Sequence, residues 1–249
     1  MLMALGMAGV MNFGMYWFSD SIVLKMQGAK PLGNQYPVVE KIVTELTQKD
    51  GLPMPKLYYV DTPIPNAFAT GRNPSHAAVA VTAGIMQILN EKELRAVLAH
   101  ELGHVKNHDM LVSTIAATVA GAISYIAQLA FFVGGSRDDD NAPNPIVGLL
   151  MLVLAPLAAM IIQMAVSRSR EFGADDHSVD LLHSGADLAS ALQKLEGFKR
   201  SMPPLQPTPA EQSTAHLMFA NMFSAAGLAS LFSTHPSTEA RVARLMRNR

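Results

Sequence analysis

Two histidines and a glutamate stand close together in the segment LAHELGHVKNHD, residues 98–109. His100 and His104 are four residues apart, so on a helix both imidazoles lie on one face and can reach a single ion. Glu101 can approach a water bound to that ion, which is the arrangement of metal-dependent peptide hydrolysis. The alternative is two surface histidines, but this face of the helix is mostly apolar, and imidazoles without partners are costly there.

A catalytic zinc ion usually has three protein ligands and one water position, so a third ligand must come from elsewhere. His108 continues the four-residue series, but a straight helix does not easily place three successive turns around one tetrahedral ion. Glu171 is better placed, because it is expected to begin a second helix after an apolar hairpin that returns the chain to His104. Spacing alone leaves open whether Glu171 is a ligand or a surface carboxylate paired with Arg168 or Arg170.

Asp175 follows Glu171 by four residues and therefore lies on the same helical face. Its carboxylate could accept the free N–H of a ligand histidine and so fix the tautomer of the imidazole. Two histidines and a carboxylate suit zinc, and they also suit iron or cobalt. We expect one zinc ion per chain.

Two uncharged segments separate the two parts of this site. Residues 111–133 and 146–166 contain 23 and 21 residues without a charge. A helix of the longer segment measures about 34 Å, enough to span a membrane core with some tilt. The polar residues 134–145 between them predict a transmembrane helical hairpin. A buried helix pair of a soluble protein is the alternative, but two adjacent spans with a charged tip are uncommon in soluble cores.

The first 18 residues also carry no charge and are just long enough for a membrane helix. A signal peptide is the alternative, but no basic segment precedes the apolar one and no small-residue cleavage site stands out. Trp17 and Phe18, followed by Asp20, are typical of the interfacial end of a span. This pattern favours a membrane helix over residues 1–20.

The charges around the spans predict their orientation. The hairpin tip carries one arginine and three aspartates, whereas lysines and arginines flank the other ends. The positive-inside rule therefore puts both polar parts in the cytoplasm and the N-terminus outside the inner (plasma) membrane. The expected domains are a membrane helix, a first catalytic part, the hairpin and a second catalytic part, over residues 1–20, 21–110, 111–166 and 167–249.

The polar parts predict mainly α structure with a small β-sheet. The runs KLYYVD, NAFATG and AAVAVT are rich in strand formers and are divided by Pro, Asn and Gly. Asn90 and Glu93 have the spacing of a capping box at the start of the His-Glu-x-x-His helix. Gly185 is expected to end the helix that carries Glu171.

Composition excludes several classes of protein. The formal net charge is -1, without the basic excess of a nucleic-acid-binding protein. The chain has no cysteine, which excludes disulfides, cysteine zinc sites and thiol nucleophiles.

Four segments together resemble the HtpX group of membrane-bound zinc metalloproteases and, more distantly, the CAAX prenyl proteases: VLAHELGHVKNHDM, NAFATG, SRSREFGADD and LFSTHPSTEAR. The resemblance covers nearly the whole chain in the same order. It implies a zincin-like (gluzincin) fold, with Glu171 as third zinc ligand and Asp175 as the carboxylate behind a ligand. It also implies membrane insertion and degradation of unfolded, damaged or misassembled membrane proteins, whereas the oligomeric state stays open.

Three further residues are candidates through this resemblance. A tetrahedral oxyanion needs a second donor besides zinc, and His235 lies in a segment similar to the one that closes over the cleft in the family. The alternative is a histidine that caps the last helix. Arg241 is expected to hold that segment by pairing with an acid, or else to lie on the surface. Asn66 could bind the substrate backbone or the oxyanion, or only shape a strand whose edge pairs with an extended peptide.

The span count departs from the family, whose members usually have two spans before the catalytic domain, so we expect an N-terminally short homologue or a fragment.

Three other functions fit parts of the pattern. A scaffold with a structural metal would show a fourth ligand or lack Glu101. A prenyl-protein processing enzyme would need more spans to enclose a chamber. A metal transporter would carry ionisable residues inside its spans, and the two hairpin segments have none.

Overall fold

The computed structural model describes residue 14 and residues 16–134, 145–201 and 236–247. Its helices are α1 (Ser19–Met26), α2 (Pro37–Asp50), α3 (Ala83–Ile88), α4 (Glu91–Lys106), α5 (Asp109–Gly134), α6 (Pro145–Leu182), α7 (Ala186–Ser201) and α8 (Thr238–Leu245). Its strands are β1 (Lys30–Pro31), β2 (Lys56–Val60), β3 (Ala67–Thr70) and β4 (Ala78–Thr82). Most of the predicted first span and His235 lie outside the described residues.

The four strands form one mixed sheet in the order β1-β2-β4-β3. Strands β2 and β4 are parallel, and the other two pairs are antiparallel. The three runs expected to be strands are β2, β3 and β4, which confirms the predicted small sheet. Strand β3 is one of the two edge strands and lies beside α4, so the sheet presents a backbone edge next to the His-Glu-x-x-His helix.

Each face of the sheet packs on helices. Leu24 of α1 lies in one cluster with Val60 and Phe68. The opposite face joins the larger core, in which α2, α4 and α7 contribute the buried side chains of Ile42, Leu46, Leu98, Leu102, Leu188 and Leu192. Helix α4 is thus held on several sides, which is what a helix carrying a precise site needs.

The predicted capping box at the start of α4 is confirmed. The Asn90 side chain accepts a hydrogen bond from the backbone N–H of Glu93, at 3.0 Å, and the Glu93 carboxylate accepts one from the backbone N–H of Asn90, at 2.9 Å. The buried Glu93 carboxylate also accepts hydrogen bonds from Ser190 and Lys194 of α7, both at 2.7 Å. One glutamate therefore both starts α4 and fixes it against α7.

Helix α6 is continuous over 38 residues, so the expectation that Glu171 begins a separate helix is wrong. The residues between the charge-free segment and Glu171, SRSR, contain no glycine or proline that would end a helix. Among the described residues, two helices are long and apolar enough to cross a membrane, Asp109–Leu129 and Gly148–Leu182. Both expose apolar side chains, including Ile126 and Ile161.

Helix α6 ends at Leu182, before the predicted stop at Gly185. His183 takes the left-handed conformation just after the helix, with φ 59°. Gly185 has a different role, because a Cβ there would lie 2.6 Å from the carbonyl oxygen of Leu245. The glycine permits close approach of α8, which brings Arg241 towards α6.

Candidate metal centre and active site

Helices α4 and α6 bring together the three groups that the sequence singles out as ligands. The Nε2 atoms of His100 and His104 lie 3.1 Å apart. Glu171 has one carboxylate oxygen 3.7 Å from Nε2 of His100 and the other 3.7 Å from Nε2 of His104. Ligands around a tetrahedral zinc ion are separated by about 3.3 Å, so this donor set fits one such ion.

The second nitrogen of each imidazole contacts a carboxylate. Nδ1 of His100 lies 2.9 Å from Asp175, and Nδ1 of His104 lies 2.6 Å from Asp109. In the neutral form of each ring, Nδ1 therefore carries the proton and Nε2 presents its lone pair towards the shared centre. Burial, followed by the nearby Arg241 guanidinium, lowers the pKa of His100 to about 4. His100 is thus neutral at physiological pH, as a metal ligand must be.

Arg241 of α8 is almost fully buried and connects the acidic groups of the site. Its guanidinium donates to both oxygens of Asp175, at 2.9 and 2.6 Å. Nη1 also lies 3.3 Å from Glu171. Of the two expectations for Arg241, the structure shows pairing with acids and not a surface position. Helix α8 therefore carries the positive charge that balances the buried carboxylates of α6.

Glu101 lies beside the ligand cluster, with only 4% of its surface exposed. Its carboxylate accepts a hydrogen bond from the backbone N–H of Ala69 in β3, at 2.9 Å. Burial raises the pKa of Glu101 to about 7, His104 opposes this rise, and Glu171 adds to it. A carboxylate with a pKa near neutrality is suited to take up a proton and to release it again.

A cleft opens in front of Glu101. Its lining includes Phe68 to Asn73 of β3 and the following loop, the inner face of α4, and Arg170 with Glu171. The loop is attached to the N-terminal segment, because the Tyr16 hydroxyl donates to the carbonyl oxygen of Arg72 at 2.9 Å and the Arg72 guanidinium stacks 4.2 Å from the Trp17 ring.

The other candidates lie apart from the three ligands. Asn66 is buried just before β3, where its backbone bonds Thr82 in both directions. The residues that line the cleft begin two positions further on, at Phe68. His108 lies in the turn between α4 and α5, with φ 54°, and lines the cleft without joining the ligand cluster. His235 is outside the described residues.

Sequence reasoning did not identify Asp109 as a partner of the site. The residue ends the quoted motif HVKNHD, five positions after His104, which on one straight helix is a poor spacing for contact. The left-handed turn at His108 changes the chain direction and brings the Asp109 carboxylate back to His104. A histidine with positive φ is uncommon, so the helical periodicity gave no signal for this turn.

Two histidines and a carboxylate from a second helix that could hold a metal ion, with a buried glutamate beside them, are the arrangement typical of a metal-dependent hydrolase. Residues 34–249 match the model of Peptidase family M48. Two relatives called Protease HtpX homolog are similar along the chain. The protein of Methylibium petroleiphilum is 51% identical over 99% of this chain and 87% of its own length. The protein of Persephonella marina is 48% identical over 98% and 86%. This chain belongs to peptidase family M48 and is a metallopeptidase.

The fold is also similar to a solved structure. The crystal structure of S. mikatae Ste24p aligns with a TM-score of 0.57, covering 98% of this chain and 57% of that chain, at 21% identity. At this identity the likeness shows the fold alone. It confirms the expected fold class, mainly α with a small sheet and a zincin-like domain that contains two long apolar helices.

Proposed function

We propose that this chain is an integral membrane zinc endopeptidase that cleaves unfolded or misassembled membrane proteins as part of protein quality control. The position of Glu101 is the observation that carries the proposal. Its carboxylate lies between the three converging ligand groups and the edge of β3 that lines the cleft, where a peptide bond and a water can meet. Backbone recognition together with a positioned base is what hydrolysis of an extended peptide requires.

The ligand types favour zinc, with one ion per chain. When bound, the ion supplies Lewis acidity, which polarises a carbonyl and acidifies water. The chain supplies the proton transfers. Glu101 accepts the proton of the attacking water and donates it to the leaving amine as the peptide bond breaks. The hydrogen bond from Ala69 holds one carboxylate oxygen, which leaves the other oxygen to take up the water proton.

The edge strand supports an unfolded substrate. In the β3–β4 register, the backbone N–H of Thr82 donates to the carbonyl oxygen of Asn66, so the backbone groups of Phe68 and Thr70 also point to β4 and those of Ala67 and Ala69 point away from it. The N–H of Ala69 is bonded to Glu101, and the remaining outward backbone groups can pair with any extended peptide, whatever its side chains. A folded protein rarely offers an extended segment with unpaired backbone groups. The feature that is recognised is therefore the unfolded state of the substrate.

The two long apolar helices support action at a membrane. Their exposed apolar side chains suit lipid contact, and the described part of the charge-free segments carries no Asp, Glu, Lys, Arg or His. The basic residues cluster on the side of the metallopeptidase domain, which favours a domain facing the cytoplasm. Substrates would then be membrane proteins whose cytoplasmic segments have unfolded.

The test compares the wild type with Glu101→Gln. Both proteins are purified in detergent under chelator, loaded with zinc to the same measured content, and incubated with an unfolded casein and with a folded control protein. We expect the wild type to cleave casein and to spare the folded protein. Glu101→Gln should bind zinc and lose about 10²- to 10⁴-fold in cleavage rate, because the amide cannot accept the proton.

A matched control is Glu91→Gln, which removes an exposed carboxylate from the same helix and should leave the rate unchanged. Equal rates for wild type and Glu101→Gln would remove Glu101 as the base. Zinc binding without cleavage of any unfolded substrate by the wild type would favour a scaffold with a structural metal.

A further inference from the structure

Asp109 is the first residue of α5, the helix that begins the long apolar hairpin. It is a carboxylate with only 4% of its surface exposed. Its Oδ2 lies 2.6 Å from Nδ1 of His104. Nε2 of the same imidazole faces His100, at 3.1 Å, and Glu171, at 3.7 Å. The ring therefore has one nitrogen on the ligand cluster and the other on the start of the hairpin.

A second contact connects the other arm of the hairpin to the same carboxylate. Nε of Arg170 in α6 lies 3.8 Å from Asp109 Oδ2. Arg170 directly precedes Glu171, the ligand that α6 contributes. The two arms of the hairpin are thus joined by an ion pair next to the ligand cluster. Helix α5 contacts His104 through Asp109, and α6 contributes Glu171.

We propose that Asp109 is a positioning residue for His104, so that the base of the hairpin is part of the metal centre. By accepting the Nδ1 proton, Asp109 selects the tautomer of the neutral ring whose Nε2 carries the lone pair, and it fixes the plane of the ring. Asp175 does the same for His100, but from α6. The two ligand histidines are adjacent on α4, yet their orientation is set by the two different helices of the hairpin. The inference rests on the proposed metal site.

A purely structural role for Asp109 makes a different prediction. A carboxylate in the first turn of a helix stabilises that helix whatever it contacts. Asp109→Ser keeps a residue that favours helix starts but is too short to reach His104. Asp109→Asn keeps the size and an acceptor oxygen but removes the charge. Glu91→Gln is the matched control, because Glu91 is an exposed acid in the first turn of α4.

The experiment measures metal binding on the full chain in detergent, without reference to cleavage. Zinc affinity is determined by competition with a chromophoric chelator, and the visible spectrum of the cobalt-loaded protein reports ligand geometry. Thermal unfolding of the metal-free proteins checks the fold. We expect Asp109→Ser to weaken zinc binding about 10- to 100-fold and to change the cobalt spectrum. Asp109→Asn should weaken binding less, and Glu91→Gln should match the wild type.

The proposal is overturned if Asp109→Ser retains wild-type affinity and the wild-type cobalt spectrum. It is also overturned if the Tm of the metal-free variants falls in proportion to their affinity, since the loss would then follow helix stability. If Asp109→Ser does not fold, Asp109→Asn decides, and wild-type affinity in that variant contradicts the proposal. A wild type that binds neither zinc nor cobalt would instead refute the metal site itself.

Discussion

Two arginines on α8 form ion pairs of nearly the same length in different surroundings. Arg241 lies 2.6 Å from Asp175 with both side chains buried, and Arg244 lies 2.6 Å from Asp176 with side-chain exposures of 42% and 38%. In water the gain from an ion pair is small, whereas a buried carboxylate that loses its partner keeps an uncompensated charge. The two pairs should therefore differ strongly in their effect on stability.

Arg241→Met should destabilise the metal-free protein by about 3–5 kcal/mol, because Asp175 and Glu171 would remain buried without their cation. Arg244→Met should cost about 1 kcal/mol or less. The measurement is the unfolding of both variants in detergent against denaturant. Equal losses for the two variants would show that burial does not govern the pair at Arg241.

For individual site residues, the sequence predicts the position of those whose spacing follows the period of one helix. His100, Glu101 and His104 are adjacent in a motif, and Asp175 follows Glu171 by one helical turn. Asp109 could not be predicted, because its contact depends on the left-handed turn at His108. The burial of Arg241 depends on how α8 packs on α6, which no local pattern encodes.

The close packing of α4 on α6 aligns the two halves of the ligand set. Gly103 directly precedes His104 on α4 and faces α6. A Cβ at this position would lie 3.1 Å from the ring of His177 and 3.2 Å from Cα of Ala174. A side chain at this position must push α6 outward. Because Glu171 lies on α6, such a shift would move one ligand away from the other two.

Gly103→Val should destabilise the protein by about 1–3 kcal/mol through overpacking and should weaken zinc binding. Gly197→Val is the matched control, because Gly197 also lies inside a helix but a Cβ there would meet no neighbouring atom within 4 Å, so it reports only the helix propensity of valine. Thermal unfolding and chelator competition measure both effects. Unchanged zinc affinity in Gly103→Val would show that the contact does not align the ligands.

The elements themselves were largely predictable, because periodicity, capping and strand-rich runs are local signals. The capping box at Asn90 and the strands β2 to β4 are confirmed. The two-residue strand β1 is too short to leave a pattern, and the strand order depends on how the connections cross the sheet. Helix α6 continues past residue 167, where the composition changes from apolar to charged, because this change does not alter the backbone structure. Composition alone therefore does not predict one continuous helix here.

In the whole molecule, the site joins parts that are far apart in the chain. α4 precedes the hairpin, Glu171 lies near the end of its second helix, and Arg241 belongs to a helix near the end of the chain. An ion held by α4 and α6 would therefore connect segments that come together only in the folded protein. Ligand binding that requires the folded state stabilises that state by mass action.

Zinc at 100 times its Kd should add about 2.7 kcal/mol to the free energy of unfolding. For a chain of this size the Tm should rise by roughly 5–10 °C. The measurement is thermal unfolding in detergent across a zinc titration, starting from chelator-treated protein. Glu171→Gln should show a much smaller rise. The same rise in Glu171→Gln and in the wild type would mean that zinc stabilises the protein from another site.

Helix α6 passes without a break from its charge-free segment to Glu171. The segment ends at residue 166, five residues before Glu171, which is about 8 Å of helix. An extended peptide covers that distance in about three residues. With the hairpin in a bilayer, α6 would hold Glu171 about 8 Å above the lipid and so fix the height of the cut. The fragment anchored beside the cut would keep a stub of only about three residues, too short to refold or to be cut again.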